Sequence, residues 1–186
     1  MKAVKRMLEP LRQRVMLMVA KAIVKLVEDG GELQRLQVAL LAGEVRNAAT
    51  RIQNYGHSAY PFAGSLALVV FPGGNRDHPL VAALDDPRYR PRDLREGEVT
   101  LYDDLGQRVW LTRDGIVIEA ANLPVTIKNA PKVRCETPMF ECTGEIKDRS
   151  DTDGMTMSGM RSVYNDHHHP GDSGGITGTP NEEMVP

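Results

Sequence analysis

Residues 167–175 read HHHPGDSGG, three consecutive histidines running into the string that chymotrypsin-class serine proteases carry around their nucleophile. In an extended segment side chains alternate, so His167 and His169 project from one face and His168 from the other. One chain then offers two imidazoles about 7 Å apart at the backbone, too few for a closed metal site. Three chains around an axis offer six, a donor set that suits an octahedral first-row metal, iron or nickel, better than tetrahedral zinc. Such a site leaves no coordination position open and is structural. The alternative reading is a solvent-exposed histidine cluster near a chain end. A third, a metallohydrolase with water on an open position beside His167 and His169, requires an exchangeable metal.

The GDSGG string does not carry protease chemistry here. A Ser-His-Asp triad needs an upstream His and Asp held by a double barrel, and a specificity pocket built from chain well beyond the Ser. His57 and His78 lie upstream, but only residues 174–186 follow Ser173, so 170–186 reads as a small-residue loop or tail. No pair of carboxylates presents itself for glycoside hydrolysis. Asp151-Thr152-Asp153-Gly154 lacks the later ligands of an EF-hand and reads as a turn. Residues 73–78, GGNRDH, lack the Lys-Ser/Thr and following helix of a phosphate loop and read as a hairpin tip. Met155 and Met157, two apart, read as core positions of a strand. None of these strings makes an active site by its own pattern.

The elements that would position these residues are mostly strands. Val4, Met7, Leu8 and Leu11 recur at helical spacing among basic residues, so residues 2–14 form a short amphipathic helix despite Pro10. From Ala20 the period becomes two: Ala20, Ala22, Val24 and Leu26 alternate, Asp29-Gly30-Gly31 interrupts, and Leu36, Val38 and Leu40 alternate again as the second arm of a hairpin. Further strands are predicted at 65–71, closed by the turn PGGN, and at 80–84. Residues 20–90 thus hold enough strands for a small closed barrel such as an OB-fold.

After Gly97 the rhythm shortens. EVTLYDD, QRVWLTR, IVIEA, PVTIKN, KVRCE and MFECTG follow one another with little intervening loop. Strands so short have few long-range partners in their own chain, and their edges must be covered. Two arrangements do this: a meander packed on the first domain, or three copies wound around each other.

Composition sets the frame. Of 186 residues 41% are hydrophobic, enough for a core, but only 5% are aromatic, which suits thin aliphatic layers. The net charge is −2, with Lys2, Lys5, Arg6, Arg12, Arg14, Lys21 and Lys25 against Glu9 at the start and a mostly acidic stretch from Glu145 to Glu183. The apolar run Val15–Ala20 is too short for a secretory signal, and no stretch approaches the length of a membrane span. Cys135 and Cys142, the only cysteines, read as reduced core residues.

The strings LQRLQVALLAGEV (33–45), YGHSAYPFAGS (55–65), VVFPGGNRDHPLVAALDDPRYRP (69–91), GEVTLYDDLGQRVWLTRDG (97–115) and YNDHHHPGDSGG (164–175) together resemble one family. It is the Mu-type baseplate assembly proteins, the central tail spikes of contractile phages. The last string resembles that family's Y-N-x-H-x-H-P tip motif, departing from it with His168 at the middle x.

The resemblance implies an all-β homotrimer: an N-terminal helix or arm over 1–19, an OB-fold domain over 20–96, an intertwined trimeric β-helix over 97–169 ending in a point, and a C-terminal loop over 170–186. It implies one structural iron ion per trimer, held by six nitrogens from His167 and His169 of each chain, and leaves calcium or chloride ions in the shaft undecided. It further implies docking of the OB end on the baseplate hub, assembly in the host cytoplasm without a signal peptide, a place at the tail baseplate of the virion, and mechanical piercing of a bacterial outer membrane. No nucleic acid is expected on that reading. The rival from the binding class is an OB-fold nucleic-acid-binding protein with a metal-stabilised tail, for which Tyr55, Tyr60, Phe62, Phe71, Tyr89 and the basic residues near 88–92 would be the binding face.

Overall fold

The computed structural model describes residues 2–185. The chain divides into two compact units, Met1–Thr126 and Ile127–Pro186. It is mostly β, with two helices.

The first unit opens with helix α1 (Lys2–Met16), which keeps Pro10 in its interior. Its Val4, Met7, Leu8, Leu11 and Val15 are all exposed. Five strands follow: β1 (Val19–Glu28), β2 (Arg35–Ala39), β3 (Val45–Arg51), β4 (Leu66–Val70) and β5 (Leu80–Asp85). They form a closed barrel in the order β1-β2-β3-β5-β4. All neighbours are antiparallel except β3 and β5, whose short parallel contact pairs Thr50 with Leu80 and Arg51 with Val81.

Register irregularities between Val24 and Leu26, Leu36 and Val38, and Leu68 and Val69 supply the bends that let so small a sheet close. The predicted hairpin and the strands near 65–71 and 80–84 are all present. Strand β3, VRNAATR, gave no comparable apolar alternation.

The alternation seen in the sequence is the burial pattern. Ala22 and Val24, Leu36 and Val38, Ala67 and Val69, and Val81 point inward around Phe71. Three ion-pair clusters tie connecting segments together, two at the barrel and one beside the sheet that follows it. Glu44 accepts from Arg46 Nε at 2.8 Å and also pairs with Arg76, whose guanidinium lies 4.0 Å above the Phe71 ring. Asp86 receives Arg88 through Nε at 2.8 Å and Nη2 at 2.6 Å, and it faces the buried Ser65 hydroxyl at 2.9 Å. The buried Glu98 receives Arg95 Nε at 2.7 Å and the Arg113 N–H at 3.2 Å, while Arg95 Nη2 reaches Asp114 at 2.7 Å.

These contacts depress the carboxylates. Hydrogen bonding from Arg76 holds Glu44 below the usual glutamate value against the opposing effect of burial. Hydrogen bonding from Arg88 holds Asp86 far below the usual aspartate value. Burial would raise Glu98, yet hydrogen bonds from Arg95 and the Arg113 N–H bring it below its usual value.

Beyond the barrel, β6 (Val99–Tyr102), β7 (Arg108–Leu111) and β8 (Ile116–Glu119) form a three-stranded antiparallel sheet where the sequence predicts three strands. Register places Val99, Leu111 and Ile116 in one cross-strand row and Leu101, Val109 and Ile118 in the next. These six aliphatic residues share one face, and each is between 40% and 71% exposed. The other face carries Thr100, Trp110 and Val117, then Tyr102, Arg108 and Glu119. There Arg108 reaches Glu119 through Nε at 2.6 Å and stacks 4.2 Å above Trp110.

The predicted strands PVTIKN, KVRCE and MFECTG, over residues 124–144, form no ladder within the chain: their residues are all exposed and pair with no strand of it. The described residues of the second unit include none that is buried. Cys135 and Cys142, on these unpaired segments, are free and exposed rather than core residues. Asp151–Gly154 lies in a turn region, as expected. Helix α2 (Met157–Asp166) stands where Met155 and Met157 were expected on a strand, and both methionines are exposed. The Thr156 side chain caps this helix by accepting the Gly159 N–H at 3.1 Å, and the spacing of Met157, Met160 and Tyr164 is helical.

Two outcomes follow. Gly74 sits at φ +74°, and a Cβ there would lie 2.6 Å from the Arg14 carbonyl oxygen at the end of α1. Gly74→Ala is expected to destabilise the protein by about 1–2 kcal/mol from the left-handed backbone alone, read as a lower urea midpoint. Because Glu44, Asp86 and Glu98 are depressed in the folded state, their stabilisation is present above their ordinary values and lost as pH falls through the depressed ones. Urea midpoints should hold from pH 7 to 5 and fall below about pH 4; a midpoint that rises on acidification would contradict the assignment.

Candidate metal site at the histidine triplet

Helix α2 delivers the triplet. Its last turn ends at Asp166, and His167 leaves it in extended conformation, φ −75° and ψ 148°. The alternation expected of an extended segment is found: the His167 and His169 rings meet edge to face with centroids 5.0 Å apart and planes at 86°. His168 turns instead to Thr177, with Nδ1 2.9 Å from the Thr177 carbonyl oxygen. His167 Nδ1 lies 2.5 Å from the Tyr164 carbonyl oxygen, and its ring packs against Tyr164 at 5.3 Å. A carbonyl oxygen only accepts, so Nδ1 of His167 carries the proton and Nε2 keeps its lone pair. This is the tautomer a metal-binding imidazole needs, held by the kind of backbone contact that orients such ligands.

One chain supplies this pair and no more. Among the described residues no group of three or more His, Cys, Asp or Glu side chains is placed to hold a metal ion. Two imidazoles presented side by side would suit two adjacent positions of an octahedral ion, and a closed site would require further copies of the same pair.

The GDSGG string has a structural use. Pro170 pairs with Ile176, the Gly171 N–H donates to the Gly175 carbonyl at 2.7 Å, and Gly174 takes φ +80° in the reversal between them. The loop predicted over 170–186 is therefore a return that brings the chain back beside the histidines. Further along, the Asn165 side chain closes a reciprocal pair with the Met184 backbone, donating to its carbonyl at 3.1 Å and accepting its N–H at 2.9 Å. Tyr164 and Asn165 stand in the quoted tip string without having been assigned roles. Thr177 carries no motif and was missed.

Several arginines in and beside the barrel are paired within the chain. Arg88 is bound to Asp86, Arg76 and Arg46 to Glu44, and Arg95 to Glu98 and Asp114. Phe62 and Tyr89 pack on each other at 5.4 Å, while Tyr55 and Tyr60 are exposed.

The family described as Bacteriophage Mu Gp45, N-terminal, matches residues 21–88, the span of the barrel. The chain is 35% identical over 189 residues to the baseplate puncturing device gp45 of Escherichia phage Mu, covering 95% of each protein. It is 34% identical over 179 residues to the Mu-like prophage FluMu protein gp45 of Haemophilus influenzae, covering 94% of this chain and 92% of that one. A likeness of this depth over nearly the whole length places the chain in the Mu gp45 family of phage baseplate proteins.

Proposed function

We propose that the protein is the central spike of a contractile phage tail or phage-derived particle, a structural and non-enzymatic component that caps the baseplate hub and pierces the host outer membrane on contraction. The observation that carries this reading is the uncovered apolar surface beyond the barrel. Six aliphatic side chains line one open face of the β6–β8 sheet, and the unit that follows has no buried residue among those described. An exposed apolar face of this kind marks an interface, and a chain of about 60 residues without a core does not stand alone. The name of the phage Mu relative, a puncturing device of the baseplate, gives that interface a purpose.

Three copies resolve the surface. In a homotrimer the Val99, Leu101, Val109, Leu111, Ile116 and Ile118 faces turn toward a common axis, and residues 124–144 find partner edges on neighbouring chains. Residues 97–169 then form an intertwined β-helix shaft. The barrel, with its order β1-β2-β3-β5-β4, supports an OB-fold domain over 20–96 that docks on the hub, with 1–19 as an arm and 170–186 as the closing loop. In such a trimer His167 and His169 of each chain would hold one iron ion through six imidazole nitrogens, His167 presenting the tautomer that this requires. When bound, the ion acts as a cross-link of three chains and activates no water. A shaft without free edges and with a closed end resists unravelling under compression. The place of action is the virion tail, after assembly in the host cytoplasm.

Native mass measurement with metal analysis tests this. Wild type is expected as three chains with one iron. His167→Ala/His169→Ala should lose the iron while the trimer survives, and Leu101→Asp/Val109→Asp, which puts charge on the aliphatic face, should yield monomer or aggregate. A metal-free monomeric wild type would sink the spike reading.

A further inference from the structure

We infer that Thr177 and His168 form a clasp that positions the His167 and His169 pair, with His168 serving as an anchor and not as a ligand. The inference rests on the metal site proposed above and adds to it the residues that hold the ligands in place.

All three hydrogen-bonding groups of Thr177 are spent on the histidine segment. Its hydroxyl accepts the His169 N–H at 2.9 Å. Its own N–H donates to the His169 carbonyl at 2.9 Å. Its carbonyl accepts from His168 Nδ1 at 2.9 Å. The backbone of His169 is thus fixed on both sides by one residue, and the ring of His168 is drawn to the face opposite the His167–His169 pair.

The Pro170–Ile176 return exists to deliver Thr177 to that position, closed by the Gly171 to Gly175 bond at 2.7 Å and turned at Gly174. His167 is held from the other direction, by the Tyr164 carbonyl in the last turn of α2. The two histidines of the pair are therefore pinned from opposite ends, one by the helix and one by the returning arm. This accounts for a third histidine between them: its Nδ1 proton is committed to a carbonyl that only accepts, and its ring cannot face the pair while that bond stands.

The test uses the full-length protein, reconstituted with ferrous iron, and follows loss of iron to EDTA together with iron content per three chains. Thr177→Val, which removes the hydroxyl and keeps the branched shape, is expected to release iron about 10–100-fold faster, the usual effect of losing an orienting contact. Thr177→Ser, which restores the hydroxyl, should return to the wild-type rate. His168→Ala should retain one iron per three chains and release it faster. The melting temperature of the metal-free protein should be unchanged in all three.

Release from Thr177→Val at the wild-type rate overturns the clasp while leaving the metal site intact. An equal fall in the metal-free melting temperature overturns the positioning role in favour of a structural one. Loss of iron in His168→Ala with retention in His169→Ala makes His168 the ligand and overturns the inference. Wild type that takes up no iron overturns the metal site and the clasp together.

Discussion

The structure turns on one constraint: beyond the barrel, apolar side chains and backbone groups outnumber the partners that a single chain can give them. The barrel satisfies itself. Its five strands close on one another over a small aliphatic core around Phe71, and two ion-pair clusters tie its connecting segments together. The sheet that follows satisfies its internal strands but leaves a six-residue aliphatic face in water, and the second unit buries nothing among its described residues. The hydrophobic effect and the cost of unpaired backbone both favour covering that surface, as the proposed trimer would do with neighbouring copies of the same surface.

This division of labour matches what a baseplate spike has to do. A self-sufficient domain can be held by other baseplate proteins without depending on the shaft. A shaft whose strands depend on neighbouring chains has no edge from which to unravel. The histidine segment extends the same logic to the end of the chain. One copy supplies only part of the proposed ligand set, while the contacts that position His167 and His169, from Tyr164 and Thr177, are complete in one copy. The proposed ion would then join three preformed pairs rather than organise a loose tail.

Much of this was legible in the residues. The alternation of Ala22, Val24, Leu36, Val38, Ala67 and Val69 is the barrel core, because a period of two and one buried face are the same fact. The strands β6 to β8 were legible for the same reason, and the spacing of His167 and His169 placed them on one face, where their rings are found in contact. Helix α2 was not. Gly159 within it and the polar residues at its end weaken the helical signal, and its start depends on one hydroxyl, that of Thr156. Strand β3 was obscured because VRNAATR draws its place from pairing with β2 and β5 rather than from an apolar face. Thr177 was invisible because its role follows from a chain reversal that brings residues eight apart together. The segments around Cys135 and Cys142 have strand-like composition but no ladder in one chain, since composition records the need for a partner and not its identity.

Amide hydrogen exchange over residues 124–144 of the full-length protein tests the central claim most directly. Within one chain these residues form no ladder, so their amides would exchange at the rate of an unstructured peptide. The account predicts protection, with exchange slowed by orders of magnitude as in a sheet whose strands are paired. Exchange at the unprotected rate, in protein whose barrel amides remain protected, would contradict it.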